Sequence, residues 1–353
     1  MSPYWSKPVR ELRPYEPGEQ PQGSGIVKLN TNESPYGPSP MVIRAIQQAA
    51  LDGLRRYPDP NSRNLCRSIA EYHGLEVDQV FVGNGSDEVL AHAFAAFFNR
   101  GEAVLMPDIT YGFYQSYCSL FGLSGLQIPL DEGLQVNVED YRRECAGLVL
   151  ANPNAPTGIA LDFAGISALM AAQNEAVVII DEAYVDFGGV TAIPLIADCP
   201  NLLVVRTMSK SRGLAGLRIG YALGHRDLVE GLQRVKDSFN SYPLDSIAQA
   251  AGEASIADED YFTASCRKVI SVRDHLRRGL ERLGFESLPS SANFLFCRHT
   301  EHEAEDLAAR LRASGIYVRH FNAPRIDSYL RISVGSEGEV AQLLAKLEEL
   351  LVG

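Results

Sequence analysis

The sequence predicts an α/β fold, with a large, mostly parallel sheet covered by helices on both faces and a smaller α+β unit after it. Three observations carry this. Short continuous apolar runs at 80–82, 103–106, 148–151, 177–180, 202–205 and 219–223 are mostly separated by stretches able to form helices. Such runs are the pattern of strands buried on both faces. Polar clusters follow four of the runs directly. After Pro243 the texture changes.

In chain order, the opening segment carries Pro14, Pro17, Gly18, Pro21, Gly23 and Gly25 and reads as an extended arm. A helix is expected next, with Ser39 as N-cap and Pro40 at its first position. Val42, Ile43, Ile46, Ala49 and Ala50 keep helical spacing behind it. The sheet runs then begin. The last two lie close together, so part of the sheet is expected to be antiparallel. Beyond Pro243, a long helix at 261–283 precedes a strand at 293–297. A helix around 304–313, strands at 316–318 and 330–334, and a final helix to about 351 complete the chain. The expected division is an arm over 1–40 associated with the small domain, a large domain over 41–245 and a small domain over 246–353. No internal repeat or low-complexity tract is present.

At 353 residues, 46% hydrophobic and 22% charged, the chain has the size of about two globular domains. Disorder and a disulfide miniprotein are excluded. The six cysteines are scattered without a C-x-x-C, which suits free thiols in a reducing cytoplasm better than bridges or a metal site. No apolar run is long enough to span a bilayer, and MSPYWSKPVR lacks a signal-peptide core. The expectation is a cytoplasmic protein without a metal. The net charge of −12 repels nucleic acid and anionic membranes. An anionic ligand would need a few local cations to hold it.

The chemistry is expected at the strand ends, where open α/β sheets bind ligands. Run 80–82 leads into Gly83-Asn84-Gly85-Ser86-Asp87-Glu88, which opens a helix. Free N–H groups at a helix start suit a phosphate; alone, the segment reads first as an ordinary Ser N-cap. Run 177–180 ends in Asp181, an acid that is costly to bury without a partner. It is either a structural cap or ion pair, or a carboxylate facing a cationic ligand group. Run 202–205 leads to Ser209-Lys210. Of the six lysines, Lys236, Lys268 and Lys346 are expected on polar faces of helices. Lys210 alone follows a buried-type strand and precedes a Gly-rich stretch. A lysine in such a crevice can lose its proton and act as a Schiff-base nucleophile, although one lysine after a strand is more often a solvated loop residue. Small residues hold it at fixed spacing from Arg218. Together the strand ends offer an amine, a phosphate cradle, a carboxylate and a phenol. Pyridoxal phosphate requires these groups.

The run of motifs resembles the fold-type I, pyridoxal-phosphate-dependent aminotransferases, and within them the histidinol-phosphate subfamily. The stretches that carry the resemblance are Asn32-Glu33-Ser34-Pro35-Tyr36-Gly37-Pro38, Arg56-Tyr57-Pro58-Asp59, the Asn152-Pro153-Asn154-Ala155-Pro156-Thr157-Gly158 segment, Asp181-Glu182-Ala183-Tyr184, the stretch 207–221 and Leu330-Arg331-Ile332-Ser333-Val334-Gly335. They span most of the chain in the family order.

The resemblance implies Lys210 as the Schiff-base lysine and proton shuttle, Asp181 at the pyridine nitrogen and Tyr184 at the phenolic oxygen. It implies Gly85, Ser86, Asp87, Ser209 and Arg218 around the cofactor phosphate, and Tyr111 stacked on the ring. Tyr57 would reach the phosphate from a second subunit, which implies a homodimer. Arg331, Arg319, Tyr15 and Asn32 would bind substrate. Where the family usually has an Asn contacting the phenolic oxygen, this chain has Ala155; Asn154 or a water is a candidate substitute.

The leading expectation is exchange of the amino group between histidinol phosphate and 2-oxoglutarate, giving glutamate. An aromatic-amino-acid aminotransferase and a threonine-phosphate decarboxylase on the same scaffold are the alternatives. A regulatory ligand sensor would be expected to carry a DNA-binding segment, for which the short arm leaves no room.

Overall fold

The computed structural model describes residues 2–352 apart from Arg13, Glu16, Ser24 and Gly53. Two sheets organise it. The larger has seven strands: β2 (Val80–Asn84), β3 (Ala103–Pro107), β4 (Ser124–Ile128), β5 (Gly147–Ala151), β6 (Val177–Asp181), β7 (Leu202–Thr207) and β8 (Ile219–Gly224). Their order is β2-β8-β7-β6-β5-β3-β4. β8 runs antiparallel to both neighbours and the other pairs are parallel. All six apolar runs are strands, and the last two form the expected antiparallel pair.

The continuity of those runs has a direct cause. Leu148, Leu150, Val178 and Ile180 enter one core layer, while Val149, Ala151 and Ile179 enter the layer on the opposite face. Alternate side chains of a strand point to opposite faces, so a sheet covered on both sides needs apolar residues at every position. β4 escapes the sequence reading because it lies at the sheet edge and is largely exposed, with a glycine inside it.

The helix Pro40–Asp52 begins where expected, and the Ser39 hydroxyl accepts the Val42 N–H at 3.3 Å. The smaller sheet is β1 (Val27–Leu29), β11 (Ile316–His320), β12 (Leu330–Ser333), β10 (Phe294–His299) and β9 (Phe285–Ser287), in that order. β1 lies parallel to β11, so the segment after the arm is woven into the small unit. The long helix Glu259–Arg282 and helices Ala304–Ala313 and Glu337–Val352 pack on this sheet. Helix Ser246–Ala257 instead places Ala248, Ala251 and Ile256 in the core of the large sheet.

One lysine departs from expectation. Lys236 is fully buried, and its ammonium donates to the Pro60 carbonyl at 2.8 Å and meets Asp237 at 2.8 Å. It stands on the same side of helix Arg226–Phe239 as buried Val229 and Leu232, hence on the apolar face rather than the polar one.

Candidate active site

The carboxyl ends of β2, β6 and β7 converge on one cavity. Ser86, Asp87, Tyr111, Ala155, Asp181, Tyr184, Thr207, Ser209, Lys210 and Arg218 line it. Helix Gly85–Phe97 starts at its rim. Gly85 has φ +81°, and a Cβ there would stand 2.5 Å from the Arg218 guanidinium. The next strand passes so close that a Cβ on Gly220 would stand 2.2 Å from the Ser86 nitrogen. Glycine at both positions lets Arg218 and β8 close on the helix start. Arg218 pairs with Asp87 at 3.0 Å and reaches the Ser209 hydroxyl at 3.4 Å. Helix N–H groups, a hydroxyl and a guanidinium thus face one point, the donor set for a phosphate.

Asp181 ends β6 and is buried. Tyr114 donates to its carboxylate at 2.8 Å and the Ala183 N–H at 3.1 Å. Burial pushes its pKa up to about 6, against those two hydrogen bonds, and the charges of Asp87 and Glu182 push the same way. No cation partner offsets the burial among the described residues. Such a carboxylate calls for a cationic ligand group.

Lys210 sits in the β7–β8 loop, where its ammonium donates to the Thr31 carbonyl at 3.2 Å and lies 5.8 Å from the centre of the Tyr184 ring. Tyr184 accepts a hydrogen bond from the Asn32 amide at 3.0 Å. Tyr111 donates to Asp87 at 2.8 Å and presents its ring to the cavity.

A wider cleft opens outward between the arm, the large sheet and the small unit, lined by Tyr15, Asn32, Tyr184, Lys210, Arg319 and Arg331 among others. Tyr15 stacks on Phe113 at 4.3 Å. Burial raises its hydroxyl pKa, with Arg331 and Arg319 pulling the other way, so it is a neutral donor. Arg331 lies between the Phe294 and Phe321 rings, 5.4 Å from each centre, and donates to the Asn30 carbonyl at 2.9 Å. Its Nε is buried without a partner. Arg319 lies over Phe321. Arg325 and Arg218 of the same cleft have carboxylate partners. Arg319 and Arg331 have none among the described residues.

Most of the expected residues therefore meet: Lys210, Asp181, Tyr184, Ser86, Asp87, Tyr111, Ser209 and Arg218 in the inner cavity, with Gly85 at its rim. Asn32, Tyr15, Arg319 and Arg331 join in the outer cleft. Tyr57 is not among the residues lining either; it is 82% exposed and stacks on Tyr242 at 4.7 Å. Asn154 does not replace the missing amide. Its amide nitrogen serves the Ile109 carbonyl and Thr157, and its oxygen accepts from Thr110. Ala155 packs with Ala292 and Phe294 beside Tyr184. Sequence reasoning missed Tyr114 and Thr31. Tyr114 lies three residues after Tyr111, and its N–H donates to the Tyr111 carbonyl at 3.2 Å, so the spacing could have flagged it. The carbonyl of Thr31 leaves no trace in residue type.

A seven-stranded sheet with a lysine, a buried carboxylate and an anion cradle at its strand ends defines a fold-type I transferase. The sequence profile of aminotransferase class I and II matches residues 24–347, and the chain belongs to that family. It is 56% identical over 351 residues to a histidinol-phosphate aminotransferase of Gluconacetobacter diazotrophicus, covering 99% of both chains. Among solved structures, the histidinol-phosphate aminotransferase of Sinorhizobium meliloti in complex with pyridoxal-5'-phosphate superposes with a TM-score of 0.91 at 26% identity, over 100% of this chain and 98% of the other. An aspartate aminotransferase of Thermus thermophilus shares the fold, with a TM-score of 0.84 at 21% identity over 99% of each chain.

Proposed function

We propose that the chain transfers the amino group of L-histidinol phosphate to 2-oxoglutarate, giving imidazole-acetol phosphate and glutamate, in histidine biosynthesis. The observation that carries the substrate is the pair of arginines without carboxylate partners, Arg319 and Arg331, facing an open cleft in a chain of net charge −12. Unpaired guanidiniums in such a protein call for an anionic ligand group, and the 56% identical relative bears the matching name.

The inner cavity fits pyridoxal phosphate. Its donor set suits the phosphate, Asp181 lacks a cation, and Lys210 is the amine. When bound, the cofactor supplies an aldehyde that holds an amine covalently and a cationic ring that draws electrons from the substrate carbon. The protein's own groups do the rest. Gly85, Ser86, Asp87, Ser209 and Arg218 hold the phosphate end. Asp181 holds a proton at the ring nitrogen, its raised pKa being relieved by that charge. Tyr184 would donate to the phenolic oxygen, and Tyr111 would face the ring from the cavity wall. Lys210 would remove and return the proton at the substrate carbon. Arg331, Arg319 and Tyr15 hold the substrate phosphate, with Asn32 beside them. Tyr57, exposed on its own subunit, completes the phosphate site of a partner in a homodimer. No helix among the described residues is long and apolar enough to cross a membrane, and the scattered free thiols support a cytoplasmic enzyme.

The test is a half-reaction on the purified yellow protein, adding histidinol phosphate, phenylalanine or O-phosphothreonine separately. Rapid bleaching with histidinol phosphate alone, leaving pyridoxamine phosphate, is expected. Preference for phenylalanine would make it an aromatic aminotransferase, and carbon dioxide release from phosphothreonine a decarboxylase.

A further inference from the structure

Ala155 offers no side-chain donor beside Tyr184, and Asn154 is committed elsewhere. The side chain that reaches Tyr184 comes instead from Asn32. Asn32 is buried in the left-handed conformation, φ +57°. Its N–H donates to the Ser333 hydroxyl at 2.9 Å, and that hydroxyl donates back to Asn32 Oδ1 at 2.9 Å. The Asn293 amide, fully buried, donates to the Asn32 carbonyl at 3.0 Å.

These bonds fix the orientation of the Asn32 amide. The Ser333 hydroxyl has one proton. Because it accepts from the Asn32 backbone, that proton goes to Oδ1, and Nδ2 is left facing outward. Nδ2 then donates to the Tyr184 hydroxyl at 3.0 Å. Tyr184 accepts there and keeps its own proton, which has no partner among the described residues and is free to point into the cavity.

We propose that Asn32, locked by Ser333, is a positioning residue that turns Tyr184 into a stronger donor at the cofactor's phenolic oxygen. A hydroxyl that accepts a hydrogen bond is polarised and donates better. The effect is to stabilise the deprotonated oxygen and make the bound chromophore more acidic. The inference rests on the reading of the cavity as a pyridoxal phosphate site, and it gives Asn32 a role through Tyr184 whether or not it also touches substrate.

The test is a pH titration of the visible absorbance of the holoenzyme, with cofactor dissociation measured beside it. Asn32→Gly keeps the left-handed backbone without strain, and Ser333→Ala removes the lock, with the acceptor of the Asn32 N–H, while leaving the amide in place. Each is expected to raise the midpoint of the absorbance transition, lowering the apparent acid dissociation constant by about 2- to 10-fold, the scale of one neutral hydrogen bond. In a Tyr184→Phe background, Asn32→Gly should shift nothing further. Unmoved midpoints in both single variants would overturn the proposal. So would a shift that survives in the Tyr184→Phe background, because Asn32 would then act independently of Tyr184. A wild-type protein that binds pyridoxal phosphate without a visible band tied to Lys210 would instead defeat the underlying reading of the cavity.

Discussion

The inner cavity and the outer cleft are built in opposite ways. The inner groups stand on strand ends or a helix start, and nearly every one has a partner: Asp87 with Arg218 and Tyr111, Asp181 with Tyr114 and Ala183, Lys210 with Thr31. The outer groups come from the arm and the small unit. Arg331 reaches the Asn30 carbonyl across 301 residues of sequence, and two of its neighbours are aromatic faces rather than carboxylates. The inner site is preorganised around fixed geometry, as proton transfer requires. The outer site holds cations in reserve, as selection of an anionic substrate requires. On the proposed reading, chemistry and specificity lie on separate scaffolds, and variants should separate them.

The largest effect is expected inside. Lys210→Ala should leave the protein folded and lower turnover by roughly 10²–10⁴-fold through lost proton transfer alone. Steady-state kinetics beside a thermal melt checks this, and normal turnover would remove Lys210 from the reaction.

Asp181 gives a second test through stability. Its pKa of about 6 in the fold lies above the ordinary value of about 3.9 in the unfolded chain. The unfolded state releases the proton first as pH rises. The stability associated with the neutral acid is therefore full below about pH 4 and lost as pH climbs through about 6, to a total of about 3 kcal/mol. Urea denaturation of the cofactor-free protein at several pH values should show this loss in the wild type and its absence in Asp181→Asn. A bound cationic ring should shrink it. Equal pH dependence in the two proteins would mean that the carboxylate is not held neutral by burial.

The same contrast governs what the sequence reveals. Lys210, Asp181 and the Gly85-Ser86-Asp87 start follow continuous apolar runs, so the sheet that buries those runs also brings their ends together. Continuity itself was readable because both faces are covered. The partners that complete the site are less visible. Thr31 acts through a carbonyl, and Asn32 through a side chain oriented by Ser333, far off in sequence. β1 and β4 are short or exposed, and their periodicity is too weak to read. Lys236 departs from the polar-face expectation because a long side chain can lie along an apolar face and still find a carbonyl at its tip. The outer arginines rest on resemblance because no local pattern marks a residue whose partner is a ligand.

Outside the inner cavity, effects should fall on binding. Arg331→Ala removes a charge-assisted contact of about 1.5–3 kcal/mol, so KM for histidinol phosphate should rise roughly 10- to 150-fold with a smaller change in kcat. An unchanged KM would end its anchoring role. Arg319→Ala should do less, about tenfold, because Arg319 is less enclosed and shares the load of a single anion, at the lower end of such contacts. Its value lies in discrimination. A phosphate offers three oxygens and can engage both arginines with Tyr15, whereas a carboxylate is satisfied by Arg331 alone. The loss on Arg319→Ala should therefore appear with histidinol phosphate and be nearly absent with phenylalanine. Equal losses for both would mean that the cleft reads charge without reading the phosphate, and the two scaffolds would then divide the work less sharply than their construction implies.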